Sequence, residues 1–129
     1  MTEILIDPFP TNEQLTALWL KAWDGVPDCD FTKVLPRSLV HVCAYEEGEL
    51  IGFVNVAWDG GIHAFLLDTC VAPVYRRRGI ATRLVNEARR TAQARGARWL
   101  HVDFESQLEG FYAACGFRPT NAGLIDLAL

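Results

Sequence analysis

The chain has 129 residues, enough for one domain that buries a core without disulfide or metal staples. Half of the residues are hydrophobic, 22% are charged and the net charge is −4, which is ordinary globular composition and excludes a disordered or strongly basic chain. No apolar run reaches the roughly 18 residues of a membrane span, Met1-Thr2-Glu3-Ile4 lacks the features of a signal peptide, and Cys29, Cys43, Cys70 and Cys115 are scattered with no C-x-x-C pair, so a cytoplasmic protein with reduced thiols is expected.

Ile4–Ile6 reads as a short first strand, broken by Pro8 and Pro10. Thr11-Asn12-Glu13-Gln14 has the form of a capping box, with Thr11 as N-cap and Gln14 three residues on. Leu15, Leu18, Trp19, Ala22 and Trp23 then follow helical spacing, which places both tryptophans in the core, and Gly25 is expected to end the helix. Residues 26–38 form a loop or short helix carrying Asp28 and Asp30. Leu39–Tyr45 and Leu50–Trp58 read as strands joined at Glu46-Glu47-Gly48-Glu49. A second turn, Asp59-Gly60-Gly61, leads into a strand over residues 62–72, completing an antiparallel meander.

From Gly79 the period becomes helical. Ala81, Leu84, Val85, Ala88 and Ala92 form one apolar stripe, which Gly96 stops. Arg98–Phe104 is the next strand, so 62–72, 79–95 and 98–104 make a βαβ unit with two parallel strands. Gln107–Cys115 reads as a short helix with Gly116 at its C′ position, and Phe117–Arg118 and Leu124–Ala128 supply final strands. The expected fold class is α+β: a mixed, mostly antiparallel sheet with one parallel βαβ unit and helices on both faces, in a single domain over 1–129. In open sheets with a parallel portion, ligands sit beyond the carboxyl ends of the strands. Here that is the end of the strand closing at Val71.

That strand end carries the strongest signal: Val71-Ala72-Pro73-Val74-Tyr75-Arg76-Arg77-Arg78-Gly79-Ile80-Ala81. A strand, a glycine-bearing turn and a helix N-terminus make an anion site, because unsatisfied N–H groups and the helix dipole favour negative charge. Charge distribution agrees. Residues 1–75 hold three basic and eleven acidic groups, net −8; residues 76–98 hold eight arginines and Glu87, net +7; the remainder is net −3. An acidic body with one basic patch suits an anionic ligand at the patch and argues against nucleic acid as partner. For residues 83–98 a solvated arginine face is expected. No Walker loop or dinucleotide fingerprint occurs.

Arg76-x-x-Gly79-x-Ala81 resembles the acyl-CoA pyrophosphate loop of the GCN5-related N-acetyltransferase (GNAT) superfamily, [Gln/Arg]-x-x-Gly-x-[Gly/Ala]. Phe111-Tyr112-Ala113-Ala114-Cys115-Gly116-Phe117 resembles its second signature, aromatic-Tyr-x-x-x-Gly-Phe. The likeness covers about residues 39–118. It implies a GNAT-like fold and an enzyme that moves an acetyl group from acetyl-CoA, as co-substrate and without metal, to an amine by direct attack in a ternary complex. It implies that the backbone at Cys70, Val71 and Ala72 pairs with the pantetheine arm, with an N–H there donating to the oxyanion, and that Arg76, Arg77, Arg78, Gly79, Ile80 and Ala81 bind the cofactor, the N–H groups from about Arg77 to Ala81 around the pyrophosphate and one of the arginines at the 3′-phosphate. Tyr112 matches the family's general acid, which protonates the departing thiolate. Asp68 lies where members often carry an acid and is the first candidate for general base. Glu105, where the family often has asparagine, and His101 compete with it.

Cys70 and Cys115 read as core thiols, since direct transfer needs no covalent intermediate. His41 and His63 read as strand residues, and the three histidines lack metal-ligand spacing. Trp58-Asp59 is the better candidate for an acceptor pocket. The acids Asp28, Asp30, Asp59, Asp68 and Glu105 would suit a cationic small-molecule amine or a protein or peptide amine. The rival from another class is a non-catalytic acyl-CoA-binding or regulatory module on the same fold. No membrane partner is expected; the oligomeric state stays open, although a homodimer would cover unpaired strand edges.

Overall fold

Residues 1–128 are described by the structure, a computed structural model. The elements in chain order are β1 (Thr2–Ile6), α1 (Asn12–Trp23), α2 (Phe31–Val34), β2 (Val40–Glu46), β3 (Glu49–Trp58), β4 (His63–Val71), α3 (Ile80–Ala94), β5 (Trp99–His101) and α4 (Glu109–Ala114). One sheet runs β1-β2-β3-β4-β5, antiparallel except for the parallel β4–β5 pair. The α+β architecture expected from the sequence, a mixed and mostly antiparallel sheet with one parallel pair, is therefore present.

Helices cover both faces, and adjacent residues of β3 show how. Gly52 backs onto α3: a Cβ there would lie 3.0 Å from Leu84 Cδ1 and 3.2 Å from Ala44 Cβ. The missing side chain is what lets α3 approach so closely. Phe53 points to the opposite face, where its ring meets Trp19 of α1 at 5.9 Å and Phe31 of α2 at 5.5 Å. With both faces covered, β3 is buried without interruption from Leu50 to Val56. Leu84, Val85 and Ala88 of α3 are wholly buried. Each such Leu or Val contributes about 1.5–3 kcal/mol by removal from water.

Two irregularities shape the carboxyl end of β4. Pairing with β3 passes from Phe53↔Cys70 to Asn55↔Leu67, so β4 carries an extra residue. The bulge falls at Asp68, whose φ is 62°. Pairing with β5 also stops early, at Phe65↔His101, while β4 continues to Val71. Beyond His101 the chain leaves the sheet, and the upper edge of β4 is unpaired.

Several expected boundaries are corrected. Asp24, with φ 55°, closes α1 in place of Gly25; aspartate tolerates the left-handed region better than most residues. Trp23 is 48% exposed, because α1 ends before its last turn is covered. The strand expected over Arg98–Phe104 is only Trp99–His101. The helix expected over Gln107–Cys115 is a 3-10 turn, Ser106–Leu108, followed by α4. Phe117–Arg118 and Leu124–Ala128 form no strand. A three-residue β5 offers little edge, and a strand without a partner leaves its backbone to water. The capping box at Thr11 is present in both directions: Gln14 N–H donates to Thr11 Oγ1 and Thr11 N–H to Gln14 Oε1. No helix among the described residues is long and apolar enough to cross a membrane.

Candidate functional site

The turn between β4 and α3 exposes a run of backbone donors. Its first part is a 3-10 turn, Pro73–Tyr75, in which Arg76 N–H is bonded to Pro73 C=O at 3.2 Å. Arg77 and Gly79 then both adopt left-handed backbone, with φ 64° and 75°. The first intrahelical bond of α3 is Arg83 N–H to Gly79 C=O. The N–H groups of Ile80, Ala81 and Thr82 therefore remain available at the positive end of the dipole. Alternation of left-handed residues with ordinary ones curves such donors into a nest for an anion. At Gly79 a Cβ would meet nothing within 4 Å, so the space in front of it is open.

The three arginines behave differently. Arg76 folds back: Nε donates to Val71 C=O at 3.0 Å and Nη2 to Ala22 C=O at 3.2 Å, tying the end of α1 to the end of β4. Arg78 lies over the Tyr75 ring, 5.3 Å from its centroid. Among the described residues none of the three joins an ion pair. The N-terminal ammonium and then Thr2 hold the Glu46 pKa down, and Arg78 adds to that positive field. Arg95 and Arg89, in contrast, are not merely solvated: Arg95 reaches Asp7 at 2.7 Å and Leu39 C=O at 2.9 Å, and Arg89 reaches Cys115 C=O at 3.5 Å.

Below the turn, Ala72 N–H donates to Ile51 C=O of β3 at 2.8 Å. By strand alternation Val71 directs its own N–H the other way, to the edge that β5 has left. Of Cys70, Val71 and Ala72, only Val71 thus offers a donor there. Tyr112 stands nearby on α4. It is 7% exposed, stacked on Phe104 at 4.9 Å and edge-on to Phe111 and Phe117. Its position is fixed by a tight helix end: Gly116 (φ 101°) donates to Ala113 C=O and Phe117 N–H to Tyr112 C=O, a Schellman motif. The Tyr112 hydroxyl approaches Thr69 without reaching hydrogen-bond geometry, and Thr69 Oγ1 is buried with no partner. Burial pushes the phenol above its ordinary pKa; Thr69 opposes this, and the negative charge of Asp103 adds to it.

Asp68 lies on the other face of the sheet. Its charge acts on Cys70, beside Phe53, and on Cys29 in the loop before α2. Asp28 and Asp30 flank Cys29 in the same loop. Partial desolvation by its neighbours pushes the Asp68 pKa up although the residue is exposed, and no ion pair among the described residues includes it. Asp68 and Tyr112 thus approach the splayed end of β4 from opposite faces.

The remaining candidates separate. Asp30 caps α2, accepting from Thr32 N–H, Thr32 Oγ1 and Asn12 Nδ2, which hold its pKa down. Asp59 is likewise held down, first by Gly61 N–H, and organises its turn. His101 stacks on Phe65 at 4.7 Å and meets His63 at 3.1 Å, where β4 and β5 are still paired. Glu105 precedes the 3-10 turn and accepts from Gln107. Burial pushes the Cys70 thiol far up, as suits a core residue. Among the described residues no group of three His, Cys, Asp or Glu side chains could hold a metal. Sequence reasoning missed Thr69 and Phe104, the neighbours of Tyr112, because neither belongs to the Phe111–Phe117 segment that signalled it.

A sequence model of the acetyltransferase (GNAT) family matches residues 1–117. A mycothiol acetyltransferase from Nocardia farcinica is 37% identical over 86 residues, covering 64% of this chain. The chain spans 28% of that relative's length. Among solved structures, a probable acetyltransferase from meticillin-resistant Staphylococcus aureus matches with a TM-score of 0.84 at 22% identity, covering 100% of both chains. A GNAT family acetyltransferase from Streptococcus pneumoniae matches with a TM-score of 0.82 at 24% identity, covering 98% of this chain and 99% of the other. These two likenesses concern the fold.

Proposed function

Because the chain belongs to the acetyltransferase (GNAT) family, we propose that it moves an acetyl group from acetyl-CoA to an amine by direct attack in a ternary complex. The observation that carries this reading is that one strand end, β4 beyond its pairing with β5, leads into the donor nest at Arg77–Ala81 and carries Thr69, the residue Tyr112 approaches. The nest, beside the side chains of Arg77 and Arg78, fits a pyrophosphate. The outward Val71 N–H fits the oxygen of an acyl carbonyl, where charge develops during attack. Arg76 supports this edge by bonding Val71 C=O.

In this reading Asp68 takes the proton that the ammonium must lose, directly or through water. Its raised pKa brings a carboxylate closer to that task than an ordinary aspartate. Tyr112 delivers a proton to the thiolate as the intermediate collapses. Phe104, Phe111 and Phe117 hold the ring so that much of the acceleration comes from positioning. Acids near Asp68 support a cationic amine as acceptor. The matched relative is named a mycothiol acetyltransferase, so non-protein acceptors are the first class to test. Four unbridged cysteines support a cytoplasmic, reducing setting.

The test is thermal unfolding against acetyl-CoA, followed by thiol release across an amine panel. Ligand at a hundred times its Kd is expected to add about 2.7 kcal/mol of stability. No stabilisation at millimolar acetyl-CoA sinks the reading. Stabilisation without thiol release across the panel points instead to a non-catalytic acyl-CoA-binding module.

A further inference from the structure

Only two polar side chains among the described residues are fully buried, His41 and Asn55, each 1% exposed. His41 is accounted for: Nε2 accepts from Phe9 N–H at 2.9 Å and Nδ1 faces Asp7. Asn55 is not, because its Oδ1 is buried with no hydrogen-bond partner. Leaving such an acceptor unmade costs stability. Two residues beyond Phe53 on β3, Asn55 faces the α1 side of the sheet. It sits opposite Leu67, beside the bulge at Asp68.

Asp68, an exposed residue of β4, keeps its carboxylate free of any ion pair among the described residues. Its charge is felt at Cys29, so the Asp28–Asp30 loop lies over the same region. A neutral acceptor without a donor therefore adjoins a carboxylate without a cation. One group satisfies both: a primary ammonium, which carries positive charge and three N–H donors.

We propose that Asn55 determines acceptor specificity: its carboxamide oxygen takes an N–H of the acceptor's primary ammonium, while Asp68 supplies the counter-charge. This rests on the reading that the amine enters on the Asp68 side. Because the amide stays neutral, it holds the amine both before and after the proton leaves. Secondary amines lose one donor and quaternary ammonium groups lose all three, so the site favours primary amines.

The probe is 1,5-diaminopentane, measured by steady-state KM with acetyl-CoA and by thermal shift with and without CoA. Asn55→Leu is expected to raise the diamine KM roughly tenfold or more. Its KM for acetyl-CoA should hold and its unfolding temperature should equal or exceed wild type, since an unmade buried acceptor is gone. Asn55→Asp, which keeps an acceptor oxygen there, should recover most of the affinity. Asn55→Ala carries the same test should leucine fail to fold. An unchanged diamine KM in Asn55→Leu, a lower unfolding temperature with both KM values shifted alike, or no response of wild type to the diamine in either assay overturns the assignment. Asp68→Asn separates the two ideas. If it leaves the rate intact while Asn55→Leu still weakens the diamine, the base assignment fails and Asn55 stands.

Discussion

Desolvation raises the pKa of both Tyr112, in the core, and Asp68, an exposed strand residue, and the sign of each shift matters to its proposed task. A phenol with a raised pKa stays protonated through neutral and mildly alkaline pH, as an acid must. Tyr112→Phe keeps the aromatic stack and removes only the proton. It should lower kcat about a hundredfold with the acetyl-CoA KM held; turnover equal to wild type would remove Tyr112 from the mechanism. For Asp68 the raised pKa works in the other direction. The base is ionised only above its folded-state pKa, so kcat/KM should fall as pH drops through that value, and Asp68→Asn should lose that limb together with most of the rate. Linkage gives a second readout. A raised folded pKa contributes stability at low pH that is lost as pH rises. Asp68→Asn should therefore melt above wild type at pH 7, by a modest margin because the side chain is partly solvated, and the margin should vanish near pH 3. A lower melting temperature at pH 7 would show that the carboxylate has a favourable partner.

At the scale of elements, the β4–α3 turn is where backbone conformation and charge coincide. Gly79 adopts φ 75° in front of open space. In Gly79→Ala the left-handed conformation costs roughly 1–2 kcal/mol, which favours a backbone change in the turn that carries the donors. Acetyl-CoA affinity should fall more than tenfold while far-UV circular dichroism stays unchanged; retained affinity would place the pyrophosphate elsewhere. Much of this element was legible. Arg76, Gly79 and Ala81 stand at recognisable spacing, and Leu84, Val85, Ala88 and Ala92 of the α3 stripe are buried, with Ile80 rather than the half-buried Ala81 at its start. The length of β5 was not legible. Val102 and Phe104 have strand-forming side chains, but a strand also needs a neighbour, and no local pattern states where the chain departs. The Asp68 bulge was hidden too, since an extra residue in a ladder is defined by its partner strand.

Across the whole molecule, the core closes without the last residues. Leu124, Ile125 and Leu127 are 80–90% exposed, and beyond Arg118 the described chain contributes a single internal hydrogen bond, Ala128 N–H to Asp126. Ending the chain after Arg118 should leave the unfolding temperature within about a degree of wild type, because little burial is lost. A large fall would mean that these residues pack against something, with a second copy the first candidate. By itself the sequence determined what depends on local order along the chain: the periods that make α1 and α3, the Thr11 capping box, the anion-binding turn and the Tyr112 signature. Local order suffices there because helix faces, caps and nests are built from residues a few positions apart. The tertiary structure alone decided what depends on neighbours in space: the early end of the β4–β5 pairing, the Arg76 clamp onto α1, and the register that sets Asn55 opposite Leu67 beside the Asp68 bulge. Hydrogen bonds and charges between distant residues leave no period to read.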